Sequence, residues 1–116
     1  MTIVSVALGG ALGAVLRSLV GLAVAFPAGT ITVNVIGSLC IGIIWAVFNA
    51  KGLQAWLPFV MTGVLGGFTT FSAFSLDALR LVEAGRLAAA GGYVMASVLL
   101  SLTACAVGLW IAKDAL

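Results

Sequence analysis

The sequence predicts an all-α membrane protein with four transmembrane helices in a single domain, residues 1–116. Hydrophobic residues make up 64% of the chain and charged residues only 7%, whereas a soluble domain carries about a quarter charged residues. Four apolar segments are each long enough, at about 1.5 Å per residue, to cross a hydrocarbon layer of about 30 Å. Short polar connections separate these segments.

The spans are predicted at 3–26, 30–49, 57–81 and 87–111. The connections read "PAG" at 27–29, "AKGLQAW" at 50–56 and "VEAGR" at 82–86. We do not expect the first span to be a cleaved signal peptide, because no basic residue precedes it and its apolar run is too long.

The composition argues against several functional classes. Five basic and three acidic residues are too few for a nucleic-acid surface. An enzyme is not expected, since histidine is absent and one aspartate within a span cannot supply a paired-carboxylate site. Cys40 and Cys105 lie in apolar runs, so we interpret them as small buried hydrophobic residues rather than as a disulfide or metal site.

The basic residues do not decide the orientation of the chain in the membrane. With four spans, Lys51 and Lys113 share one side, while Arg80 and Arg86 lie on the other, with Arg17 leaning toward it. The positive-inside rule requires an excess on one side. Two interpretations stay open: a weak bias fixes one orientation, or the chain inserts both ways and opposite copies pair into an antiparallel dimer.

The first span combines a packing motif with a charge. Gly9 and Gly13 form a GxxxG pattern, continued at the same spacing by Arg17 and Gly21, and this pattern serves packing between subunits or within one. An intramembrane charge such as Arg17 is expensive and favours a functional role. The alternative is a structural ion pair, for which Asp77 is the candidate partner.

Two sets of polar side chains recur at intervals of four, each on one face of a helix. A single serine or threonine often bonds to its own helix, but the amide of Asn34 cannot satisfy its donors and acceptor in that way. The two stripes therefore predict either a polar pathway or hydrogen bonds between helices. They comprise Thr30, Asn34 and Ser38 in the second span and Tyr93, Ser97 and Ser101 in the fourth.

The third span contains "GVLGGFTTFSAF" at 63–74. Glycine and threonine are poor residues for a helix interior, so we predict a helix break from the Gly-Gly pair to the Thr-Thr pair. Non-helical backbone at membrane depth is tolerated where protein buries it or a cavity adjoins it, and freed carbonyls there can hold a cation. Phe71 and Phe74 would offer the positive edges of their rings to a small anion, or pack against lipid or neighbouring helices.

Three motifs resemble the Fluc (CrcB) family of small fluoride channels, and the resemblance covers essentially the whole chain. They are "GGALGAVLR" at 9–17, "GTITVNVIG" at 29–37 and, most specific, "GVLGGFTTFSAF" at 63–74. The resemblance implies antiparallel, dual-topology homodimers of four-helix subunits in the bacterial plasma membrane. Each dimer would contain two fluoride pores around a buried sodium ion and pass fluoride downhill out of the cytoplasm.

The resemblance also implies roles for individual residues. Backbone carbonyls of Gly66 and Thr69 would bind the sodium ion, and Arg17 would face the aqueous vestibule. The fluoride pore would be lined by Phe71, Phe74, Asn34, Thr30, Ser97, Ser101, Tyr93, Thr70 and Ser72.

Two positions depart from the family pattern. Ala73 stands where many members have threonine, and Ser18 follows Arg17 where an aromatic residue is frequent. Because the pore residues and the charge balance are retained, we favour a homodimer over a pair of oppositely biased subunits. The rival class is the small multidrug-resistance type of dimeric transporter, which needs a membrane-buried carboxylate that the first span lacks.

Overall fold

Helices account for nearly all of the chain in the computed structural model, which describes residues 2–116. Four helical units are long and apolar enough to cross a membrane, which confirms an all-helical membrane fold. We number the helices α1 (Thr2–Ala23), α2 (Ala28–Ala50), α3 (58–68), α4 (Phe71–Glu83) and α5 (Leu87–Ala115). Helix α3 is π-helical over Pro58–Leu65 and α-helical over Gly66–Phe68, and a 3₁₀ turn, Gln54–Trp56, precedes it.

Two glycines allow the chain to turn sharply after a helix. Gly52, beyond the end of α2, has φ +71°, and Gly85, beyond the end of α4, has φ +77°. Residues with a Cβ rarely adopt this left-handed conformation, so glycine is favoured just past a helix C-terminus. Both glycines lie in the connections predicted from the sequence.

Helices α1 and α3 approach each other backbone to backbone. A Cβ at Gly9 would lie 2.5 Å from the carbonyl oxygen of Phe59 and 2.9 Å from Cα of Gly63, and one at Gly13 would lie 2.8 Å from the amide nitrogen of Phe68. Only glycine fits at such distances. The GxxxG pattern of α1 therefore packs within the subunit.

Helices α2 and α5 form a second glycine-mediated pair. A Cβ at Gly42 would lie 3.0 Å from the amide nitrogen of Leu109, and one at Gly108 would lie 3.2 Å from that of Ile43. Helix α4 adds a small core beside this pair, in which Leu81 packs with Tyr93 of α5. The two helix pairs and α4 thereby bring the polar faces of α2 and α5 to the segment between α3 and α4.

Large apolar side chains cover much of the outer surface. Ile3 and Leu22 are each 85% exposed, and Trp110 is 69% exposed. A bilayer covers such a surface, whereas a soluble monomer rarely exposes so extensive an apolar area. Cys40 and Cys105 are free thiols and only partly buried.

Candidate functional site

The backbone is extended at two consecutive residues between α3 and α4. Thr69 has φ −91° and ψ 159°, and Thr70 has φ −155° and ψ 119°. These residues fall near the middle of the apolar unit Gln54–Glu83. Helix α4 then begins with a side-chain cap, because Oγ1 of Thr70 accepts a 3.1 Å hydrogen bond from the amide of Ala73.

The side chain of Asn34 forms hydrogen bonds with both the amide and the carbonyl group of Thr70. Its Oδ1 accepts a 2.8 Å hydrogen bond from the Thr70 amide, and its Nδ2 donates a 3.0 Å bond to the Thr70 carbonyl. A primary amide has two N–H donors, so the second N–H of Asn34 is not needed by Thr70. The asparagine thus fixes the extended residue and keeps a donor for another acceptor.

A cavity of about 470 Å³ opens beside this contact. We call it the large cavity. Polar side chains of α2 and α5 meet there, and none of its lining residues is charged. The lining residues are Asn34, Gly37, Ser38, Ile41, Met61, Leu65, Gly66, Thr69, Thr70, Phe71, Phe74, Ser97, Val98, Ser101 and Leu102.

Ser97 offers the large cavity an unused hydroxyl. The residue is 5% exposed, and its Oγ has no hydrogen-bond partner within residues 2–116. Buried polar groups are normally paired, so an unpaired one requires an explanation such as a missing ion or water. A hydroxyl that lines a cavity and lacks a partner is available to a ligand.

Two phenylalanine rings border the large cavity at the start of α4. The centroids of Phe71 and Phe74 lie 5.4 Å apart with the ring planes inclined by 57°. Phe74 also stacks on Tyr93 at 5.6 Å. Phe71 is 78% exposed, so a single subunit leaves one ring of this pair uncovered.

A separate polar cluster surrounds Asp77, which is only 8% exposed. Thr30 donates a 2.7 Å hydrogen bond to Oδ2 of Asp77, and the hydroxyl of Tyr93 donates a 3.2 Å bond to the same oxygen. Oδ1 lies 3.9 Å from Nη1 of Arg80. Thr30 and Tyr93, both predicted pore residues, therefore direct their hydroxyl protons to a carboxylate and do not line the large cavity.

A second cavity, of about 300 Å³, adjoins this cluster. We call it the small cavity. Arg17, Thr30, Asp77 and Arg80 line it, and Thr70 lines both cavities. The two spaces are therefore adjacent at the extended residue that Asn34 holds.

Arg17 does not pair with Asp77, contrary to the partner suggested from the sequence. Its Nε donates a 3.0 Å hydrogen bond to the carbonyl of Gly67, while the ion pair formed by Asp77 within the described residues is with Arg80. In a continuous helix the Gly67 carbonyl would accept from the amide of Phe71. The extended residues remove that donor, and Arg17 replaces it.

The two carbonyl groups assigned to sodium by resemblance are those of Gly66 and Thr69. Within residues 2–116, no hydrogen bond reaches the carbonyl of Gly66 or that of Thr69. The helical donors for these oxygens, the amides of Thr70 and Ala73, bond instead to the side chains of Asn34 and Thr70. Carbonyl oxygens without a donor have the chemistry that a hard cation prefers in its ligands.

Comparison with known proteins decides the family. A family model described as CrcB-like protein, Camphor Resistance (CrcB), matches residues 4–109. The chain belongs to the CrcB family. This result confirms the resemblance seen in the three sequence motifs.

Curated relatives from several bacteria share nearly half of the sequence. The fluoride-specific ion channel FluC of Paracoccus denitrificans is 48% identical over 97% of this chain and 94% of its own length. Proteins of the same name from Ruegeria sp. and Cereibacter sphaeroides are 46% and 49% identical, over 100% and 93% of this chain and 98% and 91% of their own lengths. With four apolar helical units and such relatives, this CrcB-family chain is a multi-pass bacterial membrane protein.

The residues assigned by resemblance form two groups in this CrcB-family chain, and Ser72 belongs to neither. Thr30, Tyr93 and Arg17 belong to the Asp77 cluster or the small cavity, and exposed Ser72 lies 3.3 Å from the hydroxyl of Thr70 without lining either cavity. The remaining assigned residues line the large cavity; they are Asn34, Gly66, Thr69, Thr70, Phe71, Phe74, Ser97 and Ser101.

Sequence reasoning considered Asp77 as a partner for Arg17 and as a lone carboxylate unable to form a paired site, and it missed the role of Asp77 as the centre of the polar cluster. The available signal was its position as the sole carboxylate of the predicted span 57–81.

Proposed function

We propose that this chain is a fluoride-selective channel that passes fluoride downhill out of the cytoplasm. Two antiparallel copies would form two pores around a structural sodium ion. The observation that carries the proposal is the uncharged polar lining of the large cavity, to which Asn34, Ser97 and Ser101 contribute together with two phenylalanine residues. Relatives that cover nearly the whole chain bear the name fluoride-specific ion channel.

The lining supplies what a dehydrated fluoride ion needs. Fluoride leaves water only if other hydrogen-bond donors replace its hydration shell. The free N–H of Asn34 and the unpartnered hydroxyl of Ser97 are such donors. Neither carries a fixed positive charge, so an ion can bind favourably enough to enter and weakly enough to leave. The positive ring edges of Phe71 and Phe74 add an environment that favours an anion.

A second copy of the chain would complete the site. Phe71 is 78% exposed, and the unbonded carbonyls of Gly66 and Thr69 flank the large cavity. In lipid, unsatisfied backbone groups cost several kcal/mol, so protein is expected to cover this break in the third span. The nearly balanced basic residues on the two sides support insertion in both orientations, and hence an antiparallel pair.

A sodium ion would lie at the same proposed interface. The carbonyls of Gly66 and Thr69 from each copy would hold the ion. Its positive charge would attract the carbonyl oxygens of both copies and so hold the two extended segments together. This chain's own contribution is to keep those carbonyls free, through the bonds from Thr70 to Asn34 and from Ala73 to Thr70.

The small multidrug-resistance type of transporter has weaker support. Asp77 is a buried carboxylate, but two hydroxyls and Arg80 already surround it. The relatives are named as ion channels. Those names also agree with the expectation that this family does not consist of enzymes. Proton-coupled uptake of organic cations into liposomes would favour this rival.

The decisive test is ion efflux from liposomes that contain only this purified chain. Fluoride should leave at a rate proportional to protein content, and chloride should stay inside. Equal efflux of both halides, or no fluoride efflux from vesicles with correctly folded protein, would refute the proposal.

A further inference from the structure

A buried negative charge lies next to the space that an anion would cross. Asp77 lines the small cavity, and Thr70 lines both that cavity and the large one. An anion that moves between the two cavities would therefore pass close to the Asp77 carboxylate. Repulsion between like charges falls only as the inverse of distance and is strong where little water intervenes. Some feature of this site must offset it.

Two arginines line the small cavity with Asp77, Arg17 and Arg80, and of these Arg80 forms the ion pair with the carboxylate. Thr30 and Tyr93 both bond to Oδ2, and hydroxyls carry no net charge. Arg17 is directed to the carbonyl of Gly67. The Nη1 atom of Arg80 lies 3.9 Å from Oδ1 of Asp77. In the described part of the chain, this contact is the ion pair of the Asp77 carboxylate.

Phe26 holds the guanidinium of Arg80 in place. The Cζ atom of Arg80 lies 4.1 Å from the centroid of the Phe26 ring, within the distance of a cation–π interaction. Arginine side chains that are over half exposed, as this one is, normally sample many rotamers. Stacking on an aromatic ring limits that freedom and keeps the charge near Asp77.

We propose that Arg80 is a positioning residue for conduction, which offsets the charge of Asp77 so that fluoride can pass through the small cavity. This inference rests on the proposed fluoride channel. Phe26 orients the guanidinium, and the carboxylate of Asp77 accepts the hydrogen bonds of Thr30 and Tyr93. Arg80 would then act through Asp77, without itself binding the ion in the large cavity.

The first test compares fluoride efflux from liposomes for the wild type, Arg80→Gln and Arg80→Lys. At low ionic strength, Arg80→Gln should slow efflux by about tenfold, because the carboxylate loses the charge of its ion-pair partner. Arg80→Lys keeps the charge and should restore much of the rate. The defect of Arg80→Gln should shrink as a non-permeant salt is raised from about 0.01 to 1 M, since the screening length falls from about 30 to 3 Å.

Arg86→Gln is the matched control. Arg86 is exposed at the turn between α4 and α5, so this variant changes the same net charge on the same side of the chain without altering Asp77. It should conduct like the wild type. If Arg80→Gln and Arg86→Gln behave alike, the inference is wrong.

A charge-removal rescue separates this role from a structural one. Asp77→Asn added to Arg80→Gln removes the unbalanced carboxylate charge and should recover most of the lost rate, which a misfolded protein could not do. A double variant as slow as Arg80→Gln would overturn the inference. Absence of fluoride efflux from the wild type would instead refute the proposed channel function, so the two failures are distinguishable.

Discussion

The side-chain amide of Asn34 pairs with the main chain of Thr70 in both directions, with Nδ2 3.0 Å from the Thr70 carbonyl oxygen and Oδ1 2.8 Å from its amide nitrogen. The asparagine on α2 thus acts like a neighbouring strand for one residue. Without it, the Thr70 amide would be free to close a helical bond to Gly66 and occupy a carbonyl that we assign to sodium. Asn34 therefore links the shape of the backbone to both proposed ion sites.

Replacement of Asn34 by aspartate should abolish most fluoride efflux. A carboxylate can still accept from the Thr70 amide, but it places an oxygen opposite the Thr70 carbonyl and offers the cavity no donor at neutral pH. The lost hydrogen bond and the repulsion should also destabilise the protein by about 1–3 kcal/mol. Liposome efflux and thermal unfolding measure the two effects.

Asn49→Asp is the control for this substitution. Asn49 is exposed near the end of α2 and donates to the carbonyl of Trp45 within its own helix. It should retain wild-type efflux. Normal conduction by Asn34→Asp would remove the asparagine from the mechanism.

Ser97→Ala should lower fluoride efflux without lowering stability. The Ser97 hydroxyl is buried without a partner, so its removal should leave stability unchanged or raise it by up to about 1 kcal/mol. If the hydroxyl donates to fluoride, efflux should nevertheless fall. A parallel variant, Ser5→Ala in α1, alters a serine away from both cavities and should change neither measurement. A stable Ser97→Ala protein with full efflux would exclude a role for this hydroxyl in the pore.

The apolar pattern predicts four spans because a bilayer imposes a simple length requirement on each one, and the structure contains four helical units of sufficient length. The observed bounds differ from the predicted ones by a few residues; α1, for example, ends at Ala23, whereas the span was predicted to end at residue 26. Helix ends depend on turns and caps, such as Gly52 and Gly85, more than on apolar content.

The partners of polar side chains were harder to predict than the helices that carry them. Tyr93 and Ser97 are four residues apart on one face of α5, yet the tyrosine hydroxyl reaches Asp77 while the serine faces the large cavity. The length of the tyrosine ring carries its hydroxyl away from the stripe. Likewise, Arg17 bonds to Gly67 because the backbone after α3 is extended, a cause that lies in another helix.

Phe71→Ile should lower fluoride efflux by roughly tenfold while the protein still assembles, because isoleucine keeps apolar volume but loses the positive ring edge. Phe48→Ile in α2 is the matched control, since Phe48 lines neither cavity. Efflux from liposomes and the oligomer size in detergent are the measurements. Unchanged efflux from the Phe71 variant would refute its role in the pore.

Gly13→Ala should disrupt the contact between α1 and α3, and with it the position of the residues that end α3. A new Cβ would meet the backbone of Val64 and lie 2.8 Å from the amide nitrogen of Phe68. Because the contact is with backbone, no rotamer change can relieve it, and a cost of about 1–3 kcal/mol or more is expected. Gly91→Ala is the control, since a Cβ there would meet nothing within 4 Å, and alanine favours a helix by about 0.5–1 kcal/mol. Thermal unfolding in detergent should separate the two variants, and equal stability would show that α1 can shift away from α3 at little cost.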